Sequence, residues 1–341
     1  MAGEQSAQRR RQTTLGDVAK LAGVSIATAS KALNGRDQVS PLTRARVHDA
    51  AEQLAFSPNA LARGLLAGRT GTIGLLTSDL EGRFSIPILV GAEDAAGAGA
   101  NSVFLCDARG DAIREQHHVR ALLGRRVDGL IVVGSRTEPR QPLRGRLGVP
   151  VVYAYAPSDA PGDMSVVSDN VAAGQMAVEH LLSLGRTRIA HISGDPGYAA
   201  AQDRATGALT ALREAGLGPA GGRVLFGSWR ESWGRSAVDA LLTREPDVDA
   251  IFAGSDQIAR GVLEAVRERG RSVPDDIAVM GFDNWEVLAS NARPQLTSVD
   301  MQLETVGRLS AERLFAAMDG KRDAGIQRVS CRLVVRESTI G

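Results

Sequence analysis

The stretch TLGDVAKLAGVSIATASKALN, residues 14–34, reads as two short helices joined by a tight turn. Thr14 and Asp17 stand at the spacing of a capping box, in which each residue satisfies a free backbone N–H at a helix start. Leu15, Val18, Ala19 and Ala22 then recur at helical spacing. Gly23 permits the sharp turn that a side chain resists. Ser25 is placed to cap a second helix that carries Ile26, Ala29, Ala32 and Leu33. A second helix held this way can enter the major groove of DNA with its first residues at the base edges. Taken alone, the stretch also fits any small helical hairpin.

The next residues narrow the choice. Val39-Ser40-Pro41 opens a third helix, with Ser40 as cap and Pro41 at the first helical position. Leu42, Ala45, Val47, Ala50 and Leu54 are expected to supply its buried face. Ser57-Pro58 repeats the cap-and-proline start and leads into NALARGLLAGR, residues 59–69. Three helices make a small headpiece, and a fourth, from Pro58 to about Ala67, connects it to the rest of the chain. A helix this short is marginal in water, and Gly64 costs about a further 1 kcal/mol relative to alanine. It is expected to fold only on DNA.

Charge is distributed to match. Residues 1–70 hold ten Lys or Arg against five Asp or Glu, and the remaining chain holds thirty against thirty-four. A basic end on a slightly acidic body suits a phosphate-binding module attached to something else. The Arg9–Arg11 run belongs to a basic tail, 1–13, expected to be disordered. Cys106 and Cys331 are the only cysteines and sit in apolar strand-like runs, which speaks against a disulfide framework or a cysteine-rich zinc site. No apolar run reaches transmembrane length, and MAGEQSAQRRRQ lacks the apolar core of a signal peptide. The expectation is a cytoplasmic protein with no cofactor.

After Gly71 the pattern becomes strands alternating with helices. Strands are expected in TIGLLTS, SVFLC, DGLIVVG, PVVYAYA and MSVVS, then in RIAHISG, RVLFG, DAIFAGS and DIAVMGF. Such alternation argues for parallel sheets covered on both faces, and the number of strands argues for two α/β lobes. Ligands of such folds bind beyond the carboxyl ends of the strands, here in the cleft between lobes. The strand-end residues are Asp79, Asp169, Asp195, Ser255, Asp256 and Asp283. Arg204 follows the Asp195 loop, Trp229 follows RVLFGS, and Trp285 follows Asp283. Carboxylates and arginine bind hydroxyls, and an indole face stacks on the apolar face of a sugar. For Asp256 and Asp169 two roles stay open, ligand contact or capping of the next helix. Trp233 reads as core.

TLGDVAKLAGVSIATASKALNG, VSPLTRARV, SPNALARGLLAGRTGTIGLL and DDIAVMGFDN together resemble the LacI family of bacterial transcription repressors, over nearly the whole chain after about Thr13. The resemblance implies an all-α helix-turn-helix headpiece and a two-lobed domain similar to periplasmic sugar-binding proteins. It implies a homodimer on a palindromic operator, with a small-molecule effector. The expected layout is a headpiece at 14–57, a hinge helix and linker at 58–70, and an effector-binding and dimerisation domain at 71–341. Within that domain the N-lobe takes about 71–178 and 300–328, and the C-lobe about 179–299 and 329–341. Specificity positions fall on Ile26 and Ala27, with Lys31 one turn on. Thr14, Ser25, Thr28, Asn34 and Asn59 are expected DNA contacts, and Leu65 matches the leucine that the family inserts into the minor groove. Effector positions fall on Arg204, Trp229, Ser255 and Asp283 through RATG, SWRESWG, GSDQ and GFDN, with Asp79, Phe84, Asp256 and Trp285 beside them. The chain departs from the pattern at Ala29 and Ala32, where valine is frequent, and at Gly64, where serine is common. It departs again in the loop DLEGRFS, which makes Arg83 and Phe84 candidates for setting ligand identity.

Two other classes compete. An enzyme is disfavoured because no G-x-x-x-x-G-K-[ST], G-x-S-x-G, H-E-x-x-H or strand-following G-x-G-x-x-G occurs. His117-His118 are adjacent on a helix and point in different directions, which suits surface residues better than a metal site. A solute-binding protein without a DNA role shares the two-lobed body but has no use for the headpiece. The reading is a ligand-responsive repressor whose effector is a small sugar or sugar derivative, with a purine or another metabolite as the alternative. A dimer rather than a tetramer is expected, since VSCRLVVRESTIG carries no heptads.

Overall fold

The computed structural model describes residues 13–33, 38–56, 69–80, 83–97 and 101–340. The chain separates into two compact units, Met1–Thr70 and Gly71–Gly341.

In the first unit the helices are Leu15–Ala22, Ile26–Leu33 and Pro41–Gln53. The capping box forms: Thr14 N–H donates to the Asp17 carboxylate at 2.8 Å and Asp17 N–H donates to Thr14 Oγ1 at 3.3 Å. Gly23 ends the first helix at φ 64°, the left-handed conformation that favours glycine. Ser40 caps the third helix ahead of Pro41. Val18, Ala29, Ala32 and Val47 are fully buried, so the two alanines lie at the centre of the headpiece core.

The second unit contains two six-stranded sheets. The first holds β1 (Thr72–Thr77), β2 (Ser102–Asp107), β3 (Gly129–Val133), β4 (Val151–Ala154), β5 (Met164–Ser168) and β11 (Gly325–Val329). The second holds β6 (Ile189–Ser193), β7 (Leu225–Phe226), β8 (Ala250–Ala253), β9 (Ala278–Phe282), β10 (Thr297–Asp300) and β12 (Arg332–Val334). Their orders are β11-β5-β4-β3-β1-β2 and β12-β10-β9-β8-β6-β7, parallel except where β10 meets β12. The central strands are buried along their whole length because helices cover both faces.

The chain passes between lobes after β5, after β10 and after β11. The first passage falls at Asp169, not near residue 178. The helix Asn170–Ser183 packs on Ala199–Glu214 of the second lobe. Glycines explain the closeness: a Cβ at Gly207 would lie 1.9 Å from Val171 O, and one at Gly174 would lie 2.2 Å from Arg204 O. The same device joins Ser85–Ala96 to Leu303–Met318 through Gly91 and Gly307, and Glu231–Arg244 to Asp256–Glu268 through Gly234 and Gly261. Asp169 caps its helix by accepting from Ala172 N–H at 3.0 Å, which resolves its role as a cap.

His191, on β6, is buried and stacked on Phe252 with ring centroids 4.4 Å apart. Burial pushes its pKa down to about 4. An unfolded imidazole takes up its proton near pH 6.5, so acid favours the unfolded chain as pH falls from about 6.5 toward 4. Between pH 7 and 4.5 the wild-type chain should lose about 2 kcal/mol of unfolding free energy relative to His191→Gln. Denaturant melts of both proteins at the two pH values measure this; parallel losses would contradict it.

Candidate functional site

On the headpiece, Ser25 Oγ accepts from Thr28 N–H at 3.1 Å and fixes the start of the second helix. Ile26 is apolar yet 58% exposed, and Ala27 beside it is exposed. Apolar residues at the open end of a recognition helix suit thymine methyls and base edges. Thr14 and Ser25 are exposed, and Thr28 and Lys31 are partly so, which suits phosphate contact. Asn34, Asn59 and Leu65 lie outside the described residues. Replacing Ile26 and Ala27 together is expected to change the preferred operator in a binding-site selection while non-specific affinity holds. An unchanged preference would remove these residues from base readout.

In the second unit, strand ends from both lobes surround a cavity of about 370 Å³. Asp79, Arg83 and Phe84 come from the loop after β1, Thr137 from the loop after β3, and Tyr155 from the end of β4. Tyr198, Arg204, Trp229, Gln257, Asp283 and Trp285 come from the other lobe. A second cavity of about 500 Å³ shares Arg83, Phe84, Asp283 and Trp285 and is completed by the segment 300–305.

The centre of the first cavity is Asp283. Its carboxylate pairs with Arg83 from across the cleft and lies 3.6 Å from Arg204 Nη1. Arg204 is 2% exposed; its Nε donates to Asn170 Oδ1 at 2.9 Å and its Nη1 to Gly254 O at 2.6 Å. The guanidinium lies 3.6 Å from the Phe282 ring centroid. Burial draws the pKa of Arg204 down, and the Asp283 charge opposes that shift. Asp283 and Asn284 take φ values of 102° and 49°, conformations that side chains rarely adopt. Such values persist where the surroundings over-determine them, as at binding sites.

Aromatic rings form the walls. Phe84 stacks on Tyr155 at 5.0 Å, Tyr198 meets Trp229 edge-on at 5.7 Å, and the Arg83 guanidinium lies 4.9 Å from the Trp285 ring. Burial raises the Tyr155 pKa and keeps its phenol protonated. Four buried polar atoms around the cavity have no hydrogen-bond partner: Arg83 Nε, Thr137 Oγ1, Trp229 Nε1 and Asp283 Oδ1. Orphaned buried polar atoms are rare in native structures. Their convergence gives this cavity unused donors and acceptors that a polar ligand can satisfy.

Seven residues singled out in the sequence therefore share one cavity: Asp79, Arg83, Phe84, Arg204, Trp229, Asp283 and Trp285. Ser255 and Asp256 do not reach it. Ser255 caps the helix Asp256–Glu268 by accepting from Ile258 N–H, and Asp256 is fully buried behind the 283–285 turn. Burial first, and the Asp283 charge second, raise the Asp256 pKa. Trp233 is core, with Nε1 donating to Ser193 O at 2.9 Å. Sequence reasoning misses Tyr155, Tyr198, Thr137 and Gln257. Tyr155 lies inside an expected strand, although its place at that strand's carboxyl end is a usable signal.

A helix-turn-helix headpiece joined to a two-lobed domain with a polar, aromatic-walled cleft defines a class, ligand-responsive DNA-binding regulators. Residues 14–59 match the bacterial regulatory proteins, lacI family, and residues 178–339 match a periplasmic binding protein-like domain. The chain is 36% identical to the HTH-type transcriptional regulator CelR of Thermobifida fusca, over 97% of this chain and 99% of that one. A structure of CelR with cellobiose matches at TM-score 0.66 and 33% identity, covering 96% of this chain and 100% of that one. The lac repressor dimer bound to operator matches at TM-score 0.75 and 27% identity, covering 97% and 100%. The chain belongs to the LacI family of transcriptional regulators.

Proposed function

We propose that this regulator is a repressor that binds a palindromic operator as a cytoplasmic homodimer, catalyses no reaction, and is controlled by a small sugar held in the interlobe cleft. The observation that carries the sugar reading is Asp283, flanked by Arg83 and Arg204, inside a cavity walled by Trp229, Trp285, Phe84 and Tyr155. Carboxylate and guanidinium groups bind hydroxyls, and the rings cover the apolar faces of a pyranose. The likeness to the CelR–cellobiose complex makes cellobiose the first ligand to test. A headpiece of this size reads few base pairs, so two copies supply the specificity. No helix among the described residues is long and apolar enough to cross a membrane.

The hinge reading at Pro58–Ala67 falls outside the described residues. We retain it as a proposal: Leu65→Ala should weaken specific operator binding and reduce DNA bending, measured by gel mobility on phased sites. Unaltered bending would sink it.

The direct test of the effector class is intrinsic tryptophan fluorescence titrated with cellobiose, ribose and hypoxanthine. Trp229 and Trp285 line the cavity, so a bound ring should alter their emission. A saturable response to a sugar supports the reading. A response to hypoxanthine alone would replace sugar by purine as the effector.

A further inference from the structure

Asp256 makes no contact with the cavity, yet it is fully buried and has both carboxylate oxygens engaged. Oδ2 accepts from Trp285 N–H at 2.6 Å, and Oδ1 accepts from the Ser298 hydroxyl at 2.6 Å. Ser298 Oγ in turn accepts from Asn284 N–H at 3.0 Å. The two peptide N–H groups that follow Asp283 therefore both end on Asp256, one directly and one through Ser298. A Cβ on Gly281 would fall 2.3 Å from Asp256 Oδ1, so the glycine leaves room for the carboxylate. On its far side the turn is tied by Asn284 Oδ1, which accepts from Arg336 Nη2 at 2.8 Å.

The tied segment is the one that needs tying. Asn284 at φ 49° sits in the left-handed well that asparagine tolerates, but Asp283 at φ 102° lies beyond that well, in a region open mainly to glycine. Loss of the clamp frees the turn to relax, which moves the Asp283 carboxylate and the Trp285 indole together. We propose that Asp256 is the positioning residue of the effector site, holding Asp283 and Trp285 in their binding geometry without touching the ligand. The proposal rests on the reading of the cleft as the effector site. It gives Asp256 a role distinct from both alternatives that the sequence left open, ligand contact and helix cap; Ser255 does the capping.

The test uses the full-length chain labelled with 5-fluorotryptophan, whose three resonances are assigned by single Trp→Phe variants. Asp256→Ala should shift or broaden the Trp285 resonance and leave that of Trp233 in place. Asp256→Asn should restore it, because the amide oxygen still accepts from Trp285 N–H and the amide nitrogen can donate to Ser298 Oγ. Cellobiose affinity by calorimetry should fall about tenfold or more in Asp256→Ala and only about threefold in Asp256→Asn, with effector-free operator affinity unchanged. Ser298→Ala should lie between them. A folded Asp256→Ala with an unmoved Trp285 resonance would overturn the proposal, as would an Asp256→Asn as impaired as the alanine. If cellobiose fails to bind the wild-type chain, the choice of sugar fails and the Trp285 resonance still decides the clamp.

Discussion

Replacing Asp283 with asparagine is expected to weaken effector binding about 10- to 150-fold, the equivalent of one charged hydrogen bond at roughly 1.5–3 kcal/mol. Asparagine keeps the volume and one acceptor, so the loss reports charge and not a hole. Arg204 retains Asn170 and Gly254 as partners, which should keep the variant folded. Alanine at the same position is harsher. It leaves Arg204 at 2% exposure with no counter-charge and removes the cross-cleft partner of Arg83. Breaking a buried pair from one side costs about 3 kcal/mol or more. Asp283→Ala should therefore lose both ligand affinity and thermal stability, and Asp283→Asn mainly affinity. In both, the headpiece core is untouched and effector-free operator binding should persist. Calorimetry and thermal melts separate the two effects; intact affinity in Asp283→Asn would mean the carboxylate is there for the arginines alone.

The second large effect lies at Gly207. Its Cβ position is 1.9 Å from the backbone oxygen of Val171 and 2.7 Å from Gln175 N, atoms that no rotamer change can move aside. Gly207→Val forces the helices Asn170–Ser183 and Ala199–Glu214 apart, at about 3 kcal/mol for an overpacked contact. For a domain of this size that corresponds to a fall in Tm of roughly 5 °C. The same displacement carries Arg204, three residues earlier on the helix, away from Asp283. Effector affinity should fall along with stability. Gly218→Val, in a loop with open space around its Cβ position, should do neither and serves as the control. Equal melting curves for the two variants would contradict the packing argument.

The headpiece was legible because its signals are local. A capping box, a left-handed glycine and a cap-plus-proline each depend on residues within a few positions of one another. The nine strands expected from the sequence all occur, although RVLFG contributes only Leu225–Phe226. The strands at Thr297–Asp300 and Gly325–Val329 are not among those nine; the second lies at a sheet edge with three exposed residues and lacks the apolar run of a buried strand. In the site, Arg204, inside the helix Ala199–Glu214, came from the RATG resemblance; strand-end position identified Asp79, Asp283 and, shortly after their strands, the two cleft tryptophans. The same rule brought in Ser255 and Asp256, because it gives proximity to the cleft and not the direction of a side chain. Direction depends on the helix that begins at Asp256, which turns one side chain into a cap and the other into the core. Tyr155 and Tyr198 were hidden for a different reason. Tyr155 faces the cleft through a backbone at φ 71°, and Tyr198 acquires its role only against Trp229.

The expectation is that a sugar in the interlobe cleft changes the affinity of the headpiece for its operator. It is tested most directly by selecting operator sites in vitro with the full-length protein, then measuring Kd on the best site by fluorescence anisotropy with and without saturating cellobiose and the other sugars of the panel. The expected result is a two-fold symmetric site and a change in Kd of about 5- to 150-fold with one sugar, the usual range of coupling between sites, with the change reduced or abolished in Asp283→Asn. Sequence-independent binding, or an affinity that every sugar leaves unchanged, would contradict it.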